Sequence, residues 1–188
     1  MEFRPINWSR DSAAMRNLDA SFVTDRVYAV RRADLCFSLV EEICAPPFTK
    51  RYELALTEEA LAGSVASVAA YEGTVLGGFA IVREELWNRR AMITDFFVDR
   101  GFRRRGVGMN MMEHLGRCMA GTAARVLCVE TQNVNFPAIA FYRSVGFEVC
   151  GFDSTLYDAP RSAEVAIYLS KPITNDGCAG RSHSGDGP

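Results

Sequence analysis

One junction constrains this chain more than any other. Residues 91–99 (AMITDFFVD) form an apolar run broken only by Thr94, Asp95 and Asp99, which predicts a central strand buried on both faces. Residues 107–120 place Val107, Met111, Met112, Leu115 and Met119 at helical spacing and predict an amphipathic helix. Between the two lies Arg103-Arg104-Arg105-Gly106-Val107-Gly108. Glycines at the mouth of a helix let backbone N–H groups gather around an anion, where the helix dipole favours negative charge. Arginines beside them add forked hydrogen bonds to phosphate oxygens, so a diphosphate fits. No Gly-Lys-Ser/Thr follows, which excludes a P-loop, and Met109-Asn110-Met111 after Gly108 supplies no third glycine for a dinucleotide fingerprint. The same residues also fit a solvated arginine loop before an ordinary helix, or a contact to nucleic acid.

Charge patterning narrows these alternatives. The net charge is −2, but setting aside the four arginines of residues 100–105 leaves 17 Lys and Arg against 23 Asp and Glu, a net −6. A short basic spot on an acidic chain suits one anionic ligand there and a cationic one elsewhere, and speaks against nucleic acid. Only two histidines occur, His114 inside the helical stretch and His183 in a Gly/Ser-rich stretch. A Ser-His-Asp hydrolase or a Cys/His zinc site lacks its residues and spacings, so a metal-free chemistry without histidine, or no chemistry, is expected.

The rest of the chain predicts a mixed α/β sheet. Residues 2–8 read as a strand and 11–20 as a helix; 22–30 and 35–43 read as extended, with Pro46-Pro47 breaking the chain. Thr57 caps a short helix. Residues 67–71 and 74–83 flank Glu72-Gly73 as a hairpin, 125–131 is a strand, and 135–145 is a helix with Pro137 in its first turn. Residues 147–152 and 164–170 close as strands. A domain over 1–173 and a disordered tail over 174–188 are expected. Six scattered cysteines without a CxxC pair, no apolar run of membrane-spanning length and no secretory layout at the start predict a cytoplasmic protein. Cys128 and Cys150 read as buried strand residues and His114 as a helix-face residue.

The R-x-x-G-x-G turn in this setting resembles the GCN5-related N-acetyltransferase superfamily. Trp87-Asn88, Glu130-Thr131-Gln132-Asn133-Val134-Asn135, Pro137-Ala138, Phe141-Tyr142, Gly146-Phe147, Gly151-Phe152-Asp153 and Leu156-Tyr157 resemble the streptothricin (nourseothricin) acetyltransferases within it. The similarity covers residues 71–170 and is looser over Pro47–Tyr52 and the N-terminal half. It implies one α/β (α+β) domain, a mixed, mostly antiparallel sheet flanked by helices with two splayed central strands. It also implies acetyl-CoA as donor, with the segment Arg103, Arg104, Arg105, Gly106, Val107 and Gly108 on the pyrophosphate. Phe96, Phe97 and Val98 would offer backbone groups to the pantetheine arm and the oxyanion, and Asn135 would bond that arm. Tyr142 matches the tyrosine that protonates the departing thiolate.

The proton acceptor is implied less sharply: Glu130 ends the second splayed strand, and Asp95 stands on the facing one. Streptothricin enzymes typically carry Ile-Glu where this chain has Ile93-Thr94. Trp87, Asn88, Thr94, Asp95, Glu130, Asp153 and Tyr157 are the implied acceptor-binding residues. The expected acceptor is a small cationic amine, foremost the β-lysine amine of streptothricin, with no metal, nucleic acid or membrane partner and with homodimerisation open. Another amine (a polyamine, an amino acid derivative or a protein amine) is the nearest alternative, and a non-catalytic acyl-CoA-binding domain that sequesters a drug is the rival of another class.

Overall fold

The apolar alternation of the chain becomes a seven-stranded sheet in the computed structural model, which describes residues 1–157 and 164–173. In chain order the strands are β1 (Glu2–Arg4), β2 (Phe22–Ala33), β3 (Cys36–Lys50), β4 (Ala66–Glu72), β5 (Val75–Glu85), β6 (Arg90–Val98), β7 (Val126–Gln132), β8 (Glu148–Asp153) and β9 (Ala166–Pro172). The helices are α1 (Trp8–Arg16), α2 (Glu58–Ala62), α3 (Val107–Met119) and α4 (Phe136–Ser144). The main sheet runs β1-β4-β5-β6-β7-β9-β8, while β2 and β3 pair only with each other. Every neighbouring pair is antiparallel except β6 and β7. The tail over 174–188 lies outside the described residues.

Two cores hold the layers. On one face α3 and α4 bury Met111, Leu115, Met119 and Ile139 against Val82, Val129 and Leu169. On the other, Met15 of α1 packs with Ala69, Tyr71, Phe79 and Ile81. Each Met, Leu, Ile, Val or Phe among them contributes about 1.5–3 kcal/mol by leaving water. A buried ionic knot fixes α1: Asp11, with no exposed surface, accepts from both Arg4 terminal nitrogens at 2.8 and 2.9 Å, the Asn7 amide at 2.8 Å, Arg10 Nε at 3.2 Å and the Tyr71 hydroxyl at 3.1 Å.

Several expectations shift. Helix α1 starts earlier, because Asn7 caps its N-terminus by accepting from the Arg10 amide at 3.1 Å, and it stops at Arg16. Pro46-Pro47 does not end the extended segment: residues 44–47 bulge out between the Arg26–Ile43 and Thr24–Phe48 pairs, and β3 resumes beyond them. An irregular stretch tolerates residues without an N–H, which a ladder position would not. Cys128 is buried, whereas Cys150 is exposed on the edge strand β8.

The feature that positions the site is the β6–β7 pair. Their parallel pairing ends at Ile93–Val129, although β6 continues to Val98 and β7 to Gln132. Thr94 is the extra residue of a bulge, since Ile81 pairs with Asp95 and Val82 with Ile93. A bulge bends its strand, here just where β6 leaves its neighbour. The strands splay beyond it.

Candidate active site

The splay opens a cleft of about 830 Å³. One wall is the strand–turn–helix junction. Arg104 (φ +59°) and Gly106 (φ +79°) are both left-handed, which winds the chain into the N-terminus of α3. Gly106 provides no side-chain cap, and the Val107, Gly108 and Met109 amides find no acceptor among the described residues. Those groups are the unsatisfied donors of a helix start. A Cβ at Gly108 would sit 3.3 Å from the Phe141 ring, so a side chain there would have to push the ring back by a few tenths of an ångström. Gly106, Val107 and Gly108 line the cleft, so the junction fits an anionic group such as a diphosphate.

The arginines divide their labour. Arg103 is half-buried and donates through Nε to the Val98 carbonyl at 3.0 Å and through a terminal nitrogen to the Ser21 carbonyl at 2.6 Å, bolting the end of β6 to the start of β2. Arg105 grips both Glu72 carboxylate oxygens at 2.8 and 3.0 Å and lies over the Phe102 ring. Its guanidinium is therefore drawn to the β4–β5 turn, outside the cleft lining. Arg104 lines the cleft, and so does Arg100, which the sequence pattern did not separate from its neighbours.

The floor is β6 beyond the splay. Thr94, Phe96, Phe97 and Val98 line it, with Phe96 against Phe141 and Tyr142 and Phe97 against Phe79 and Tyr52. Past Ile93 the β6 edge that faces β7 has no strand partner, so backbone groups there point into the gap. Asp95 lies outside the lining. Burial raises its pKa, against an opposing hydrogen bond from Thr94 at 2.9 Å.

The far wall gathers the titratable groups. Tyr142 of α4 is buried, makes no hydrogen bond among the described residues and lines the cleft; burial keeps its phenol well above the usual range. Glu130, the first β7 residue past the splay, accepts a hydrogen bond from the Tyr157 hydroxyl. Burial raises the Glu130 pKa and that bond opposes the rise. Asn135 lines the cleft, yet its side chain is already engaged: Oδ1 caps α4 by accepting from the Ala138 amide at 3.2 Å, and Nδ2 donates to the Tyr52 hydroxyl at 3.0 Å. Tyr52, which sequence reasoning missed, donates in turn to Gln132 Oε1.

The cleft does not gather every expected acceptor residue. Trp87 is 87% exposed at the β5–β6 turn, at the end of β6 where β6 and β7 are still paired. Asn88 closes that turn by accepting from the Arg90 amide at 3.0 Å. Asp153 shapes the loop after β8, accepting from the Thr155 amide and hydroxyl at 2.7 Å each. Among the described residues no group of three His, Cys, Asp or Glu could hold a metal ion, and no helix is long and apolar enough to cross a membrane.

The sequence pattern of the acetyltransferase (GNAT) family matches residues 31–147. The chain belongs to that family. It is an acetyltransferase, with acetyl-CoA as donor. It is 37% identical to the streptothricin acetyltransferase of Streptomyces lavendulae over 172 residues, 86% of this chain and 90% of that one. The crystal structure of a nourseothricin acetyltransferase superposes with a TM-score of 0.82 at 35% identity, covering 92% of this chain and 98% of the other. A Bacillus anthracis structure carrying the name streptothricin acetyltransferase, in complex with acetyl coenzyme A, superposes with a TM-score of 0.77 at 25% identity, over 91% of this chain and 98% of that one.

Proposed function

We propose that this acetyltransferase acts in the cytoplasm on a streptothricin-class antibiotic, acetylating the amine of its β-lysine moiety and so conferring resistance. The observation that carries the reading is the meeting, in one cleft, of unpaired amides suited to a diphosphate with a buried phenol and a half-buried carboxylate at the splayed strand ends. The 107–109 amides would hold the pyrophosphate of acetyl-CoA, and β6 its pantetheine arm. The acceptor nitrogen attacks the thioester carbonyl, and the C–S bond breaks as the new C–N bond is completed. Glu130 takes the proton that the nitrogen loses, and Tyr142 gives a proton to the departing thiolate. The lining favours Glu130 over Asp95 as acceptor of that proton, since only Glu130 faces the cleft. The acidic remainder of the chain suits a polycationic substrate.

Thiol release from acetyl-CoA, followed with streptothricin, a polyamine and an amino-terminal peptide, tests this. The expected result is release with streptothricin and a product heavier by one acetyl group, with turnover reduced about 100-fold in Tyr142→Phe. Preferred release with another amine would overturn the acceptor. Binding of both ligands without transfer would make the chain a sequestering protein instead.

A further inference from the structure

Glu130 differs from most half-buried carboxylates in having no cation within ion-pair distance among the described residues. Its one hydrogen bond among the described residues comes from Tyr157. A phenol has a single proton to donate, so the bond occupies Oε1 and leaves Oε2 without a partner among the described residues, and both residues line the cleft. Tyr157 sits on the loop that follows β8, and Asp153 shapes that loop with its turn at Thr155. The contact thus joins β7 to a segment 27 residues further along the chain.

We infer that Tyr157 is a positioning residue for the transfer step: its hydroxyl fixes the Glu130 carboxylate so that Oε2 points at the acceptor nitrogen. This rests on the reading of Glu130 as the proton acceptor. The bond sets the working pH as well as the geometry. Burial favours the neutral acid, while a donor to the carboxylate favours the charged form that accepts a proton. Burial and the neighbouring Glu130 charge hold the Tyr157 phenol above its usual pKa, so it stays a donor across the working range. Among the described residues no cation acts on Glu130 itself, Arg90 acting on Tyr168 instead. Tyr52 after β3, Tyr142 of α4 and Tyr168 of β9 all feel the Glu130 charge as neutral phenols. Glu164, which also raises Tyr52 and Tyr157, is itself paired with Lys50, and Asp153 acts on Tyr168. Arg103 reaches only as far as Tyr52.

The test is the pH profile of kcat with saturating acetyl-CoA and streptothricin for the wild type, Tyr157→Phe and Glu130→Gln. Tyr157→Phe is expected to move the acid limb up by about one pH unit, so that turnover on the limb falls about tenfold. It should recover only in part at higher pH, where Glu130 is charged but no longer held, with the KM for acetyl-CoA unchanged. Replacing Tyr157 by 3-fluorotyrosine, a stronger donor of the same shape, should move the limb down and covers the case in which Tyr157→Phe folds poorly. A uniform loss at every pH, or a Tyr157→Phe profile that superposes on wild type while Glu130→Gln is inactive, overturns the positioning role and leaves Glu130 in place. Wild-type turnover in Glu130→Gln overturns both.

Discussion

Asp11 and Glu130 are two carboxylates taken out of water in one fold, and they are treated in opposite ways. Burial pushes both pKa values up. Around Asp11, hydrogen bonds from Arg4, the Asn7 amide, Arg10 and Tyr71 outweigh it and hold the carboxyl well below the usual range. Around Glu130 a single phenol opposes it, and burial wins. Partner supply decides the outcome: Asp11 has no exposed surface and yet keeps its charge. A permanent charge knots α1 and β1 onto β4. A charge that can be lost and regained belongs where a proton must be passed.

Removing each carboxylate should therefore have contrasting effects. Asp11→Asn strands the Arg4 guanidinium and should cost about 3–5 kcal/mol in urea unfolding, with activity per folded molecule unchanged. The folded pKa of Asp11 lies below its unfolded value, so its contribution is fully present above about pH 4 and fades as pH falls through the folded pKa. Glu130 has the reverse sign: ionising it in the fold costs stability above its raised folded pKa, a cost that vanishes below the unfolded value. Glu130→Gln should keep or gain stability while losing about 100-fold or more in turnover. Full stability in Asp11→Asn, or a matching loss in Glu130→Gln, would break the contrast.

A smaller contrast separates two neighbouring arginines. Arg104→Ala should raise the KM for acetyl-CoA about tenfold, the cost of a charge-assisted contact to phosphate. Arg105→Ala should change it less than about twofold, because its guanidinium is held on exposed Glu72. Equal effects would mean that Arg105 leaves Glu72 for the ligand.

Local signals in the sequence carried the fold far. The strand at 91–99, the helix after Gly106 and the hairpin at Gly73 each depend on neighbours in the chain, and each lies where its residues predict. The two splayed strands came from the family resemblance, and the structure adds a cause, the bulge at Thr94. What stayed hidden depends on distant contacts. Tyr52 reaches Gln132 and Asn135 some eighty residues away, and the loose resemblance over Pro47–Tyr52 gives it no role in the cleft. Arg103, Arg104 and Arg105 read as equivalent until Val98, Ser21 and Glu72 claim two of them. Pro46-Pro47 looked like a break because a bulge within a hairpin leaves no local pattern.

The most direct measurement is a carbon-13 NMR titration of the two carboxyl groups in the folded protein, assigned with Asp11→Asn and Glu130→Gln. The expected Glu130 midpoint lies above the ordinary glutamate value of about 4.3 and the expected Asp11 midpoint below the ordinary aspartate value of about 3.9. A Glu130 carboxyl that titrates at or below its ordinary value would contradict that expectation.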